Sequence, residues 1–251
     1  MMEGGAPATH DAGDEEGAPA TPEESPAALA RRAQFLATEH WSLLATRSMS
    51  WNESFSRTAM FLATLSAATV ALALAGPAMA FGSAFALFAI IVLSVTLFLG
   101  LTTFVRLIQV NHEDLYWVFG MNRLRGAYAR MAPGIEHDFI TGWTTDAKGL
   151  ARTFGAVDVT TPSPLHALVT TPAVVAVISS AIAGVIGGVL AIQLGTQPAV
   201  AVATGVAVFV GTALALTRYG IREYGRYVER IGRQYGIELS TPAAVKDAAR
   251  R

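Results

Sequence analysis

The sequence predicts an all-α integral membrane protein: four transmembrane helices paired as two hairpins, with cytoplasmic helical extensions. No Lys, Arg, Asp or Glu occurs from Thr58 to Val105, a gap of 48 residues, or from Val159 to Thr217, a gap of 59. A spanning helix needs roughly 20 apolar residues, so each gap holds two spans and a short turn. Mean hydropathy is +0.42, and charged residues make up 15% of the chain, against about 25% in ordinary soluble domains. All 18 basic residues lie in the N-terminal, central or C-terminal polar regions, and none in the turns at 76–83 and 194–198. Cytoplasmic loops are enriched in Lys and Arg, so both termini and the central segment are expected inside, in a plasma-membrane protein.

The elements follow in order. Residues 1–24 hold seven acids and no Lys or Arg, among many Gly, Ala and Pro. Such a segment cannot bury enough apolar surface to offset its chain entropy, and a disordered acidic tail is expected. It has neither a basic n-region nor an apolar h-region, so the first span is expected to act as an uncleaved signal. TPEESP, residues 21–26, is a helix-start signal: Thr21 or Ser25 can cap, and each precedes a proline. Residues 25–57 then form a cytoplasmic or interfacial helix, with Leu36, Leu43, Leu44, Trp51 and Phe55 near one face. Trp41 and Trp51 suit a membrane interface.

Residues 58–105 are the first transmembrane hairpin. Its spans run from about Thr58 to Gly76 and from about Ala84 to Val105, with Gly76-Pro77 and Gly82-Ser83 marking the outer turn. Residues 106–166 are a cytoplasmic helix and loop. At 100° per residue Val110, Trp117, Met121, Leu124 and Tyr128 share one face, and His112, Tyr116, Arg123 and Arg130 another. Pro133-Gly134 stops this helix, and a short helix is expected near 145–152 before TTPSP at 160–164. Residues 167–217 are the second hairpin, with spans at about Leu168–Gln193 and Ala199–Thr217 around LGTQP. Residues 218–251 are a cytoplasmic C-terminal helix and tail. There Arg218, Arg222, Arg226, Arg230 and Arg233 form one face of an amphipathic helix. The first of these arginines fall near anionic headgroups. The Gly/Tyr side behind them, with Tyr224 and Tyr227, is expected to dock on the helix after the second span.

The composition excludes several chemistries. The chain has no cysteine, which removes disulfides, thiolate metal sites and cysteine nucleophiles. The spans carry no ionisable residue, which argues against proton relays and ion-coupled transport. Their polar side chains are hydroxyls, Ser66, Thr69, Ser94, Thr96, Ser179, Ser180, Thr204 and Thr212, which can bond to their own helix backbone. His112-Glu113-Asp114 and Glu136-His137-Asp138 contain metal-ligand types, but neighbours on a helix diverge, so neither triplet makes a site alone. HEDLY has Tyr116 where a zinc-binding HExxH would place histidine. No phosphate loop or nucleophile elbow is present. The expectation is therefore no catalytic, cofactor-binding or metal-binding residue and no enzyme. The arginine stripe is short and interrupted by Glu223 and Glu229, which argues against nucleic acid.

Small residues recur every fourth position: Ala59, Ala63, Ala67, Ala71 and Ala75; Ala176, Ser180, Gly184 and Gly188; Ala203, Ala207, Gly211 and Ala215. Such stripes let helix backbones approach closely, either within one chain or in a homo-oligomer. The run RLIQVNHEDLYWVFGMNRLRGAY (106–128), with LATEHWSLLATRSMSWNESFSR (36–57) and FITGWTTDAKGLARTFG (139–155), resembles bacterial multi-pass, four-span membrane proteins of unknown function. That resemblance implies no activity, substrate or cofactor. The layout of helix, two spans and helix is loosely similar to membrane effector domains of bacterial defence systems. The expected role is a non-enzymatic scaffold, sensor or accessory subunit acting through helix contacts in the lipid bilayer. An oligomeric channel or passive transporter is the alternative.

Overall fold

A computed structural model of the chain describes residues 25–154 and 170–235. The acidic tail, TTPSP and the last residues lie outside the described residues. Five α-helices account for nearly all of the fold, and no β-strand occurs among the described residues. They are α1 (Pro26–Ala78), α2 (Ser83–Met131), α3 (Ala147–Thr153), α4 (Thr171–Gln193) and α5 (Pro198–Tyr235). A short 3-10 turn at Ile135–Asp138 follows α2. Helices α1, α2, α4 and α5 are each long and apolar enough to cross a membrane. The chain is a membrane protein of four helical spans.

Helix α1 is one continuous rod of 53 residues, about 80 Å at 1.5 Å per residue. Ser25 caps it, its Oγ accepting from the Ala28 N–H at 3.3 Å, with Pro26 at the first position. Residues 25–57 and the first span are thus a single element. The helix runs through Gly76-Pro77 and ends only at Ala78. The outer turn is therefore narrower than the sequence marked it. A proline one turn from a helix end has a helical φ and costs few hydrogen bonds. Gly76 serves a different purpose. The Phe81 ring folds over it, with Cε1 2.5 Å from where a Gly76 Cβ would lie. Ala80 and Phe81 have φ of 50° and 51°, left-handed values that non-glycine residues rarely adopt. The Phe81 N–H donates to the Gly76 carbonyl at 3.0 Å and the Gly82 N–H to that of Met79 at 3.0 Å, which closes the turn.

Helix α2, 49 residues, continues past the second span and stops at Pro133-Gly134, where Gly134 takes φ 101°. Asp146 caps α3 by accepting from the Gly149 N–H at 2.9 Å. Gly195, at φ 79°, turns the second hairpin.

Helix α2 is the centre of the bundle: α1 and α4 both pack on it, and α5 leans mainly on α4. Phe61, Leu93, Phe104, Leu107, Val175, Ala176 and Ile182 form the core of the spanning region. Two close approaches set this packing. A Cβ on Gly100 would lie 2.4 Å from Ser179 Oγ and 2.8 Å from Phe61 Cε2, so the glycine lets α1, α2 and α4 converge. A Cβ on Gly184 would lie 2.8 Å from the Gly205 carbonyl oxygen, and one on Gly205 would lie 2.9 Å from that of Gly184. The Gly184-xxx-Gly188 stripe is thus used inside the chain, against α5. The stripe of α5 itself points outward: Ala203, Ala207, Gly211 and Ala215 are all exposed.

The span hydroxyls do turn back on their own helices. Ser66, Thr69, Thr96 and Thr204 each donate to the carbonyl four residues earlier at 2.9 Å, and Ser180 does so at 2.7 Å. This satisfies a polar group that lipid cannot. Ser179 Oγ is buried and makes no such bond.

Candidate functional site

The hairpin geometry puts the first half of α1, the second half of α2, α3 and the end of α5 at one end of the bundle. That end holds the charged side chains, and three sets of contacts build it.

The first set joins α1 to α2. Arg47 and Trp51 are four residues apart on α1, so both reach the same point on α2. Arg47 donates through Nε to Asp114 Oδ1 at 2.6 Å and through Nη2 to Oδ2 at 3.1 Å, and the Trp51 indole N–H donates to Oδ1 at 2.9 Å. Asp114 is 4% exposed, so a buried carboxylate has three charge-assisted or polar donors. Nearer the spans, Arg106 donates to Glu53 at 2.8 and 3.1 Å and to Glu113 at 2.7 Å, and Arg57 donates to Glu53 at 2.8 Å. Hydrogen bonds from Arg106 and then Arg57 hold the Glu53 carboxyl down to about 2. The two carboxylates in turn push the Arg106 guanidinium above its ordinary value. Arg57 and Arg106 are the charges that bound the first apolar gap. This more exposed network marks where the hairpin leaves its apolar region and contributes less per pair than the buried contact.

The second set fastens the segment after α2. Asn122 is 0% exposed. Its Nδ2 donates to the Thr144 carbonyl at 2.9 Å, and its Oδ1 accepts from the Thr153 hydroxyl at 2.8 Å and from Arg125 Nη1 at 3.1 Å. Arg125 also donates to the Gly142 carbonyl at 3.3 Å. Burial, then the nearby Arg47 charge, lowers the Arg125 guanidinium. The segment doubles back so tightly that a Cβ on Gly142 would lie 1.9 Å from the Gly149 carbonyl oxygen. A fully buried amide with both ends bonded is a polar group of the kind that fixes one packing arrangement.

The third set docks α5. The Tyr227 ring stacks on His112 at 4.6 Å with an 11° tilt. The Tyr116 and Tyr235 hydroxyls meet at 3.2 Å, and the Tyr235 ring lies 4.7 Å from Phe119. Val228 and Ile231, both buried, join Leu115, Val118, Phe119, Met121 and Leu150 in a second apolar core. Burial is the main cause lowering the His112 imidazole; Glu223 opposes it and Arg230 adds to it. The ring is thereby kept neutral against the phenol. Burial, helped by Tyr116, Glu113 and Tyr235, pushes Tyr227 up to about 12.

Several sequence expectations are refined here. His112, Glu113 and Asp114 turn to three different partners: Tyr227, Arg106 and the Arg47/Trp51 pair. Glu136 is taken by its own turn, accepting from the Gly134 N–H at 2.9 Å. Among the described residues no three His, Asp or Glu side chains are placed to hold a metal ion. Trp51 is anchored to Asp114, whereas Trp41 is exposed. Leu43 packs in the second core and against Gly120, while Leu44 and Phe55, expected on the same face, are exposed. The five α5 arginines are all exposed, as an outward stripe requires.

The docking face of α5 is real, but its two tyrosines are unequal. Tyr224, one turn before Tyr227, is 45% exposed, whereas Tyr227 stacks on His112. Tyr227→Ala is therefore expected to destabilise the protein by about 1–2 kcal/mol, and Tyr224→Ala, Arg222→Ala and Arg226→Ala by about 0.5 kcal/mol or less. Thermal unfolding in detergent checks the ranking; equal losses at Tyr224 and Tyr227 would refute it.

Sequence reasoning missed Asp114, Asn122 and Arg47 as the organising residues. The available signal was an acid at the spacing of the apolar face, Asp114 lying four residues after Val110 and three before Trp117, and an amide, Asn122, beside Met121. No family model, curated protein or solved structure matches this chain.

Proposed function

We propose that this chain is a non-enzymatic scaffold, sensor or accessory subunit of a bacterial inner membrane, with both termini cytoplasmic, that self-associates through α5. The lack of Lys and Arg in both hairpin turns, 76–83 and 194–198, supports the orientation. One observation carries the association: the α5 stripe Ala203, Ala207, Gly211 and Ala215 faces away from the rest of the chain. Nothing lies within 4 Å of a Cβ placed on Gly211. Only 6% of the apolar window of α5 is buried, against 44% for α4. Two copies of a small-residue face can approach closely and gain van der Waals contact that lipid tails do not match.

The chain has no native cysteine, so Gly211→Cys gives a single reactive position. Oxidation in native membranes is expected to yield a crosslinked dimer, and Gly211→Leu to convert the detergent-solubilised protein to a folded monomer whose melting temperature no longer depends on protein concentration. A monomeric wild type with no crosslink at 203, 207, 211 or 215 would overturn the association. An ion leak in liposomes, carried by wild type and lost in Gly211→Leu, would move the role to an oligomeric pore. A periplasmic reporter active at residue 140 would reverse the orientation.

A further inference from the structure

At the end of α5, α2 presents two arginines without a hydrogen-bonded or ion-paired partner among the described residues. Arg123 and Arg130 lie seven residues apart, hence on one face of α2. That face also carries His112 and Tyr116, which α5 covers. Both guanidinium groups are exposed and make no hydrogen bond or ion pair among the described residues, in contrast to Arg47, Arg57, Arg106 and Arg125. They line a cleft of about 580 Å³ together with Trp143, Thr144, Thr145 and Gln234. This is within the size range of small-molecule sites, about 300–1,000 Å³.

The cleft has a floor rather than being a bare surface. Gly126 lies between the two arginines, and the Trp143 carbonyl is 3.2 Å from where its Cβ would sit. Arg130 Nη1 is 3.6 Å from the same point, so this guanidinium folds back one turn toward Arg123. The fully buried Asn122 holds the opposite wall in place through Thr144. Among the described residues no carboxylate lines the cleft. The nearest acid in sequence, Asp146, is occupied by the Thr144 hydroxyl at 2.6 Å and the Gly149 N–H at 2.9 Å. The lining thus carries two unneutralised planar guanidinium groups, each able to grip phosphate oxygens bidentately.

From these features we infer that the cleft binds a soluble phosphoanion of diphosphate size, one phosphoryl group to Arg123 and the linked one to Arg130. A lipid headgroup is the wrong source. Arg106 marks the edge of the apolar region, and Arg123 is 17 residues further along the same helix, about 25 Å away at 1.5 Å per residue. The inference adds a ligand to the protein and stands whether or not α5 self-associates.

The test uses the full chain in neutral detergent, with inorganic pyrophosphate as probe and inorganic phosphate as comparator, followed by titration calorimetry. Saturable one-site binding of pyrophosphate, at least tenfold tighter than phosphate and weakening as salt rises, is expected. The exposed pair Arg123→Gln and Arg130→Gln is expected to lower that affinity at least tenfold without changing the melting temperature. Arg222→Gln with Arg226→Gln, which removes the same charge from the α5 stripe, is expected to leave it within twofold. Absence of saturable binding, or an equal loss in both double variants, would overturn the site. Gly211→Leu monomer that still binds pyrophosphate would separate this result from the fate of the self-association.

Discussion

Asp114→Ala is expected to lower stability by about 3 kcal/mol, the larger of two effects predicted for single substitutions. The carboxylate side chain is 5% exposed and that of Arg47 28%, so removing the acid strands a largely enclosed cation. It also leaves the Trp51 N–H without its acceptor. The cost is the desolvation of groups that have lost their partner, which exceeds the net contribution of the pair itself. Thermal unfolding followed by circular dichroism measures the loss. Hydrogen exchange should place it in residues 36–57 and 106–131 and leave the spans protected. Replacing both partners, Arg47→Met with Asp114→Leu, should recover part of the stability, since no charge is stranded while the Trp51 N–H still lacks its acceptor. A loss below about 1 kcal/mol for Asp114→Ala would mean that water reaches Arg47, and would demote the pair from its organising role.

Gly184→Leu is expected to open the second hairpin. The first added carbon would sit 2.8 Å from the Gly205 carbonyl oxygen and 3.1 Å from Phe209 Cβ. A backbone oxygen cannot rotate away, so α4 and α5 must separate, at a cost of about 2–3 kcal/mol. The effect should be graded by space. Gly188 has 3.4 Å to the Ala201 carbonyl oxygen, so Gly188→Ala should be nearly neutral, whereas Gly184→Ala should already cost about 1 kcal/mol. Gly211→Leu, which meets open space, should leave the fold of the single chain unstrained and change stability only through lost association. Denaturation in mixed micelles reads the first three, and mass in detergent reads the last. A flat response across Gly184, Gly188 and Gly211 would refute the close approach of α4 and α5.

The two substitutions also show which kinds of feature can be read without coordinates. Spanning segments, helix stops and caps depend on a few neighbouring residues. Apolar length alone places four helices across a bilayer, because a backbone in lipid must satisfy its hydrogen bonds internally. Ser25 with Pro26, Pro133-Gly134 and the short helix near 145–152 were legible for the same local reason. Gly76-Pro77 was misleading because a local rule met a tertiary fact: Phe81 covers Gly76, and the helix runs on to Ala78.

Partner choice belongs to the other kind. Three small-residue stripes look alike in sequence, yet α4 spends Gly184 against Gly205 inside the chain while α5 leaves Gly211 open. Arg47 and Asp114 are 67 residues apart, and nothing local joins them. The α5 tyrosines differ only through which one reaches His112. The sequence by itself determined the four spans, their hairpin pairing and the exclusion of charge from the spans and their turns, because bilayer solvation and charge cost act on each segment separately. Only the tertiary structure decided which faces are filled, which are free and which charges are paired, because those depend on how closely distant helices can approach.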